Sequence, residues 1–415
     1  MNKNTLTLTL AMIAVFSPQA MAQGTNDGLG GDDANIQSLY EIISKQEKKS
    51  KAFNFFINYG ASFKAYHDSR EGDWTAGFYN RNLKVEMTGW LTDHIYYRFR
   101  HSLTRTSEAK SWDNFAKATD YMMVGWKINN HWSIETGKKC QALGAFEFDE
   151  NPLFVYQFSD IEDNVDSSKG AINLLYNPTS SQQLTFEVSN TYNGKFEDEF
   201  GEQAKLTNGL PAPDGTTSSA TERLQEANVP LAYSAGWNGK FLDNKLQTRW
   251  SYTLRTQAKH KYSRFLRLGQ QLNLNRLQWY VDYNMTYDDL DRMRIISSEA
   301  IPRLSPSSVD LYAGKVRYQG WVTKMNWQFA SDWNLVVKGM YETASMSRSE
   351  QFHHYRKAFG YVGSIEYFPA RKQQQDLRLF LAYTGRKYDY SKRSQLAGYN
   401  TNRIELGMFY RMKLF

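Results

Sequence analysis

Residues 53–66 read FNFFINYGASFKAY, and this stretch decides the fold. Phe53, Phe55, Ile57, Tyr59, Ala61 and Phe63 occupy alternate positions, with Asn54, Asn58, Ser62 and Lys64 between them. A period of two puts the first set on one face of a β-strand and the second on the other. The same alternation recurs in IYYRFRHS (95–102), LQWYVDYNMTY (277–287), WNLVVKGMYE (333–342) and LRLFLAYTGRK (377–387). Working outward from these segments predicts about sixteen strands, an even number within the range of outer-membrane barrels. They fall near 53–66, 75–91, 94–105, 119–128, 131–142, 168–177, 182–193, 230–241, 245–257, 262–274, 276–287, 311–330, 332–346, 356–368, 376–390 and 402–415.

The connections alternate in kind. Short ones at 91–93, 129–130, 178–182, 242–244 and 331–332 are interleaved with longer polar ones. The long set is 67–74, 106–118, 143–167, 194–229, 288–310, 347–355 and 391–401. Short turns at one end and long loops at the other are expected of a transmembrane antiparallel β-barrel. In lipid every backbone N–H and C=O must be paired, so such strands span only as a closed sheet. The chain is therefore expected to be all-β, with residues 53–415 forming the barrel. Its final strand, ending MFYRMKLF, should close the sheet and carry the signal read by the barrel-assembly machinery. Phe415 is out of parity with the apolar positions Ile404 to Leu414, so a kink or an interface position is expected there.

Composition agrees. Aromatic residues make up 15 % of the chain while all hydrophobics reach only 41 %, and mean hydropathy is −0.64. Tyr and Trp favour the membrane–water interface, and Trp74, Trp90, Trp126, Trp132, Trp237, Trp279, Trp327 and Trp333 are expected in girdles near strand ends. Residues 1–22 combine Lys3, an apolar run from Leu6 to Phe16 and Ala20-Met21-Ala22, the pattern of a cleaved signal peptide. Its removal would take the formal charge from +7 to about +6. The single cysteine, Cys140, excludes an internal disulfide. Residues 23–52 hold a Gly-rich linker and then Ile36, Leu39, Tyr40 and Ile43 at helical spacing, expected as a periplasmic helical or coiled-coil segment.

If the apolar face meets lipid, the polar face lines a lumen. On that register the basic wall residues are Lys64, Lys84, Arg98, Arg100, Lys127, Lys139, Arg249, Arg255, Lys338, Arg378, Arg386, Arg403, Arg411 and Lys413. They outnumber the acids on the same face, among them Glu86, Glu135, Glu187, Asp282, Glu342, Glu366 and Glu405. Rings of Arg and Lys at a constriction select anions, and the planar fork of Arg suits phosphate. The connection after the fifth strand is acidic, through Glu147, Asp149, Glu150, Asp160, Glu162 and Asp163, yet rich in Phe146, Phe148, Phe154, Tyr156 and Phe158. Such a loop is expected to fold into the barrel, pack its aromatics on the wall and pair its carboxylates with wall cations, narrowing the pore.

The stretch TGKKCQALGAFEFDENPLFVYQFSDI (136–161) resembles the strand-plus-loop signature of the phosphate-selective porin O and P family, in its Bacteroidota form. Gly137, Lys138, Gly144, Phe146 and the Asn151-Pro152 pair carry that resemblance. It implies a homotrimeric sixteen-stranded porin for anion uptake. The expected partners are outer-membrane lipid and lipopolysaccharide, with small anionic solutes such as phosphate as cargo.

Other classes find little support. No Ser or Thr is marked out beside a histidine as a nucleophile. His353-His354 adjoin without a third ligand at useful spacing. No Gly-rich phosphate loop or zinc motif is present, so neither an enzyme nor a cofactor is expected. The basic pI of 9.1 comes from dispersed charge and does not point to nucleic acid. The rivals are a general or sugar-conducting porin and a structural or adhesive surface barrel.

Overall fold

The computed structural model describes residues 52–105, 114, 116–211, 219–304 and 310–415. The expected signal peptide and the helical segment before the barrel lie outside the described residues. In chain order the strands are β1 (Asn54–Asp68), β2 (Trp74–Trp90), β3 (Ile95–Ser102), β4 (Thr119–Lys127), β5 (Trp132–Cys140) and β6 (Ser168–Thr179). They continue with β7 (Gln182–Asn190), β8 (Lys205–Pro211), β9 (Ser219–Arg223), β10 (Leu231–Phe241), β11 (Leu246–Ala258) and β12 (Lys261–Leu274). The last six are β13 (Leu277–Leu290), β14 (Leu311–Ala330), β15 (Trp333–Met346), β16 (Arg356–Tyr367), β17 (Asp376–Tyr390) and β18 (Tyr399–Lys413).

All of these except β8 and β9 pair antiparallel with their neighbours, β7 joins β10, and β18 returns to β1 over Phe56–Asp68. The result is a closed sixteen-stranded barrel. No helix among the described residues is long and apolar enough to cross a membrane. Each segment predicted from alternation has a barrel strand in place. Two connections depart from the expected rhythm: 259–260 is tight at the long-loop end, and 368–375 is long at the short-turn end. The loop 194–229 is not plain coil either. It holds a helix, α3 (Phe196–Phe200), and the β8–β9 hairpin, which adds in parallel to β14 through Leu311↔Lys205.

The outward face follows the alternation. Trp126, Trp279, Trp321, Trp327 and Trp333 are exposed there. Trp90 is the exception among the expected girdle residues: it has inward parity and packs on Tyr96, ring centroids 4.9 Å apart, in a small inner cluster with Tyr121 and Met123. The β1–β2 hairpin rises beyond β3, while β18 accompanies β1 to its end. β3 pairs with β2 only from Lys84 to Trp90, so among the described residues the far part of β2 pairs with β1 alone and Phe78 is 93 % exposed.

The end of the chain has a simple geometry. β18 stops at Lys413, after which Leu414 N donates to Phe55 O (2.8 Å) and Phe55 N donates to Phe415 O (3.3 Å). The Phe415 ring sits 6.3 Å from Phe53, which has lipid-face parity. Leaving the strand frees Phe415 from its inward parity and lets it join the outer aromatics.

Candidate functional site: the loop-narrowed lumen

Residues 141–167 run inside the barrel. Two glycines let them enter. Gly137 in β5 has φ +115° and a Cβ there would overlap the Met122 carbonyl, while Gly144 has φ +68° and a Cβ would meet Ser251 at 3.0 Å. Both conformations favour glycine on steric grounds. Beyond them lie two short helices, α1 (Phe146–Asp149) and α2 (Asp160–Asp163), with a 3-10 turn at Pro152–Phe154 between them.

Wall carboxylates hold the start of each helix, where backbone N–H groups lack partners. Asp282 on β13 accepts from Phe146 N (3.0 Å) and Glu147 N (2.7 Å). Glu342 on β15 accepts from Asp160 N (2.9 Å) and Ile161 N (2.8 Å). Wall cations take the loop's carbonyls: Arg81 donates to Val155 O (2.7 Å), Lys338 to Gln157 O (2.8 Å), Arg386 to Phe158 O (3.2 Å), and Arg403 to Tyr156 O.

The loop's own acids are paired as well. Glu147 meets Lys338 at 2.7 Å, Asp149 meets Arg249, and Glu150 meets Lys324 at 2.8 Å. Asp160 meets Arg356 and Arg386, each at 2.5 Å, and Glu162 meets Arg267 at 2.9 Å. Asp163 forms no ion pair among the described residues.

The loop also has an apolar side. Phe146, Leu153, Phe154 and Tyr156 pack on inward-facing Tyr280, Val322, Val336, Met340, Val362, Phe380 and Phe409, all buried. Across β13–β18 the inner face thus carries an apolar band set among paired charges, and the loop covers it, a correction to the expectation that this face lines a hydrated lumen throughout.

Covering that half leaves the other. A cavity of about 70 Å³ lies between the loop and the β3–β11 side. Arg98, Tyr121, Glu135, Lys139, Asn173, Gln183, Thr185, Asn238 and Ser251 line it from the wall, and Gly144 and Asp149 from the loop. Of the basic residues expected along an anion path, Arg98 and Lys139 reach the cavity itself. Arg249 touches its edge through Asp149.

Arg98 and Arg411 share Glu86, at 2.7 and 3.4 Å. Lys84, Arg100 and Arg105 share Asp120. Lys139 lies between Glu135 and Glu187, at 2.9 and 3.2 Å. Among the described residues, bases therefore outnumber carboxylates around Glu86 and Asp120, acids outnumber the base around Lys139, and Arg249 and Asp149 pair one to one.

Three expected path residues are elsewhere. Lys64 lies toward the long-loop end of β1, opposite Glu405 and Gly77, with its ammonium 4.1 Å from the Tyr79 ring centre. Arg378 is paired with Asp376 at 2.8 Å and stacked 3.5 Å under Phe154, so it supports the loop. Lys127, at the end of β4, is half-buried and does not line the cavity. The neutral lining residues were not singled out from sequence. They share inward parity with the charged ones, and that alternation was the available signal. Among the described residues no group of three or more His, Cys, Asp or Glu side chains suits a metal ion.

A comparison with curated proteins finds no sequence match. Solved structures are similar in fold. The outer-membrane channel DcaP of Acinetobacter baumannii aligns with a TM-score of 0.55 at 9 % identity, over 88 % of this chain and 99 % of that one. A Salmonella typhi OmpF complex with daunomycin gives 0.55 at 9 % identity, over 86 % and 97 %. An anion-selective porin from Comamonas acidovorans gives 0.52 at 8 % identity, over 87 % and 99 %. The family model for phosphate-selective porin O and P matches residues 53–412, the barrel from its first strand nearly to the end of its last. A closed sixteen-stranded barrel narrowed by an inward loop, matched to that model throughout, makes this chain a member of the phosphate-selective porin O and P family, an outer-membrane porin.

Proposed function

We propose that this porin passes small hydrophilic solutes by diffusion with a preference for anions such as phosphate. The path runs along the polar β3–β11 side of the lumen, and the channel works as a homotrimer in the outer membrane. The observation that carries the anion preference is the pair of cation-rich clusters around Glu86 and Asp120. Two bases meet the buried Glu86 and three meet the buried Asp120, so among the described residues cations outnumber carboxylates on this side of the lumen. An ion that sheds part of its hydration needs that opposite charge.

In planar bilayers under a salt gradient the reversal potential should favour chloride over potassium. Phosphate should permeate better than a neutral sugar of similar size. Replacing Arg98 and Arg100 together with Ala should reduce the anion preference, since each cluster then loses one buried base. Unchanged selectivity in a folded, conducting variant rules out this placement of the path.

Acidity gives a second check. Burial pushes the Glu162 carboxyl up to about 7, against the pull of Arg267 beside it. Below that pH Glu162 is neutral and the Arg267 charge is unbalanced. Anion preference should therefore increase from about pH 8 to about pH 6, and Glu162→Gln should flatten the profile. A wild-type profile already flat would remove this pair from the selectivity mechanism.

The neutral amide and hydroxyl lining of Asn173, Gln183, Thr185, Asn238 and Ser251 favours a second reading, a general or sugar-conducting porin. Equal passage of sugar and phosphate in the same recording selects it.

A further inference from the structure

The long-loop end of the β11–β13 wall holds two arginines around one carboxylate. Arg255 on β11 and Asp288 on β13 both partner Ser263 on β12, so they stand in one cross-strand row, about 10 Å apart at the backbone. Arg292 follows in the connection after β13. Arg292 and Asp288 both lie close enough to act on the Arg255 charge.

Of the neighbouring charges, Arg267 is matched by Glu162 and Lys169 by Asp166, while the buried Asp291 accepts from Ser297 and Tyr318. Arg255 is 1 % exposed and donates once, from Nη2 to Gln141 Oε1 at 2.8 Å. Its Nε and Nη1 have no partner among the described residues, nor has Arg292 Nη2. Asp288 accepts from Ser263 Oγ at 2.5 Å through Oδ1, and its Oδ2 has no partner. Buried donors and acceptors without partners are costly, so this row is poised for a ligand that completes both kinds.

The row adjoins the solute path. Gln141 precedes Ala142, and Ser251 is the cross-strand partner of Arg267; both Ala142 and Ser251 line the cavity.

We propose that Arg255, Arg292 and Asp288 form a binding station for small carboxylates that carry a hydrogen-bond donor next to the carboxylate, the α-hydroxy and α-amino acids. The carboxylate takes the two guanidinium forks, whose planar donors match it. The adjacent hydroxyl or ammonium donates to Asp288 Oδ2. An anion without a donor satisfies the arginines but turns lone pairs toward Asp288 and is repelled. One excess positive charge in the row matches one carboxylate. This station rests on the anion-path reading above and assigns a solute class to it.

The test uses the full-length porin in planar bilayers, with chloride current blocked by added glycolate, glycine, acetate or sulfate. Glycolate and glycine should half-block at about ten-fold lower concentration than acetate, the worth of one hydrogen bond to a charged group. Sulfate should be weaker still. Asp288→Asn should bring glycolate and acetate together, and Arg255→Gln should weaken block by all four. Equal block by glycolate and acetate in the wild type overturns the station, and that comparison needs no variant. So does unchanged block in a conducting Arg255→Gln channel. The reversal potential in plain potassium chloride separates the two ideas: cation preference there, with glycolate block still selective, removes the anion-path reading and leaves the station.

Discussion

Replacing Asp282 and Glu342 together with Ala is expected to release the inner loop and raise single-channel conductance. These two wall carboxylates accept four backbone N–H groups, from Phe146, Glu147, Asp160 and Ile161, at the starts of α1 and α2. Hydrogen bonds to such groups contribute roughly 1.5–3 kcal/mol each when charged. Losing them shifts the balance between docked and undocked loop by a hundred-fold or more, at about 1.4 kcal/mol per factor of ten. Arg386 loses its Glu342 partner at the same time (2.9 Å), which weakens the α2 end further. Conductance should rise at least roughly two-fold and the current should become noisier, because a loop that visits several positions gates the path. Anion preference should change as well, since Asp149 leaves the cavity edge and frees Arg249. Glu222→Ala, at an exposed pair with Lys261, serves as the control and should conduct as the wild type does. A folded double variant with unchanged conductance would mean that the aromatic contacts alone keep the loop in place.

That prediction also shows where the sequence stops being legible. The barrel itself was readable because a strand has one period. Every segment with alternating apolar positions, from FNFFINYG to RIELGMFY, had only one way to bury backbone polarity in lipid. The inward loop was readable from a conflict, too many aromatics for its acidity. The roles of individual charges were not. Lys338, Arg386 and Arg403 look the same in sequence as Arg98 or Lys139, all basic and all of inward parity. Three of them hold loop carbonyls and two face the cavity, and that division depends on where a 27-residue connection rests against strands distant in sequence. Asp282 and Glu342, read from sequence as acids opposing an anion path, are spent on helix starts. Polarity alone was also insufficient on β13–β18. Val322, Val336, Met340 and Val362 carry inward parity, beside outward neighbours that are also apolar, so alternation fades there. What faces them is another piece of the chain, and a period-two rule has no term for that.

The second large effect is expected at Phe409, and it tests which face of the last strand is dry. In a simple porin wall the lipid face is apolar and the lumen face is wet, so truncating a lipid-facing leucine should matter more than truncating an inward residue. Here the order should invert. Phe409 is fully buried, its ring 4.5 Å from Phe380, 5.5 Å from Tyr156 and 5.8 Å from Phe154. Two of these belong to the loop and one to β17, so Phe409 joins wall to loop. Phe409→Ala should cost about 3–5 kcal/mol, the usual range for emptying a packed aromatic site. It should also widen the conductance distribution by loosening the loop's apolar side. Leu406, on the opposite face of the same strand, is 63 % exposed and surrounded by lipid or detergent in either variant. Leu406→Ala removes no packed neighbour of the loop, and its cost should stay near or below about 1 kcal/mol. Denaturant or thermal unfolding of the detergent-solubilised barrel reads both. A loss at Leu406 equal to or greater than that at Phe409 would show that the inner aromatic cluster is hydrated and that ion pairs alone dock the loop. With the expected order, the Phe in MFYRMKLF that breaks the polar pattern of the inward face is a structural anchor. The channel is then shaped as much by apolar packing inside the barrel as by the lipid outside it.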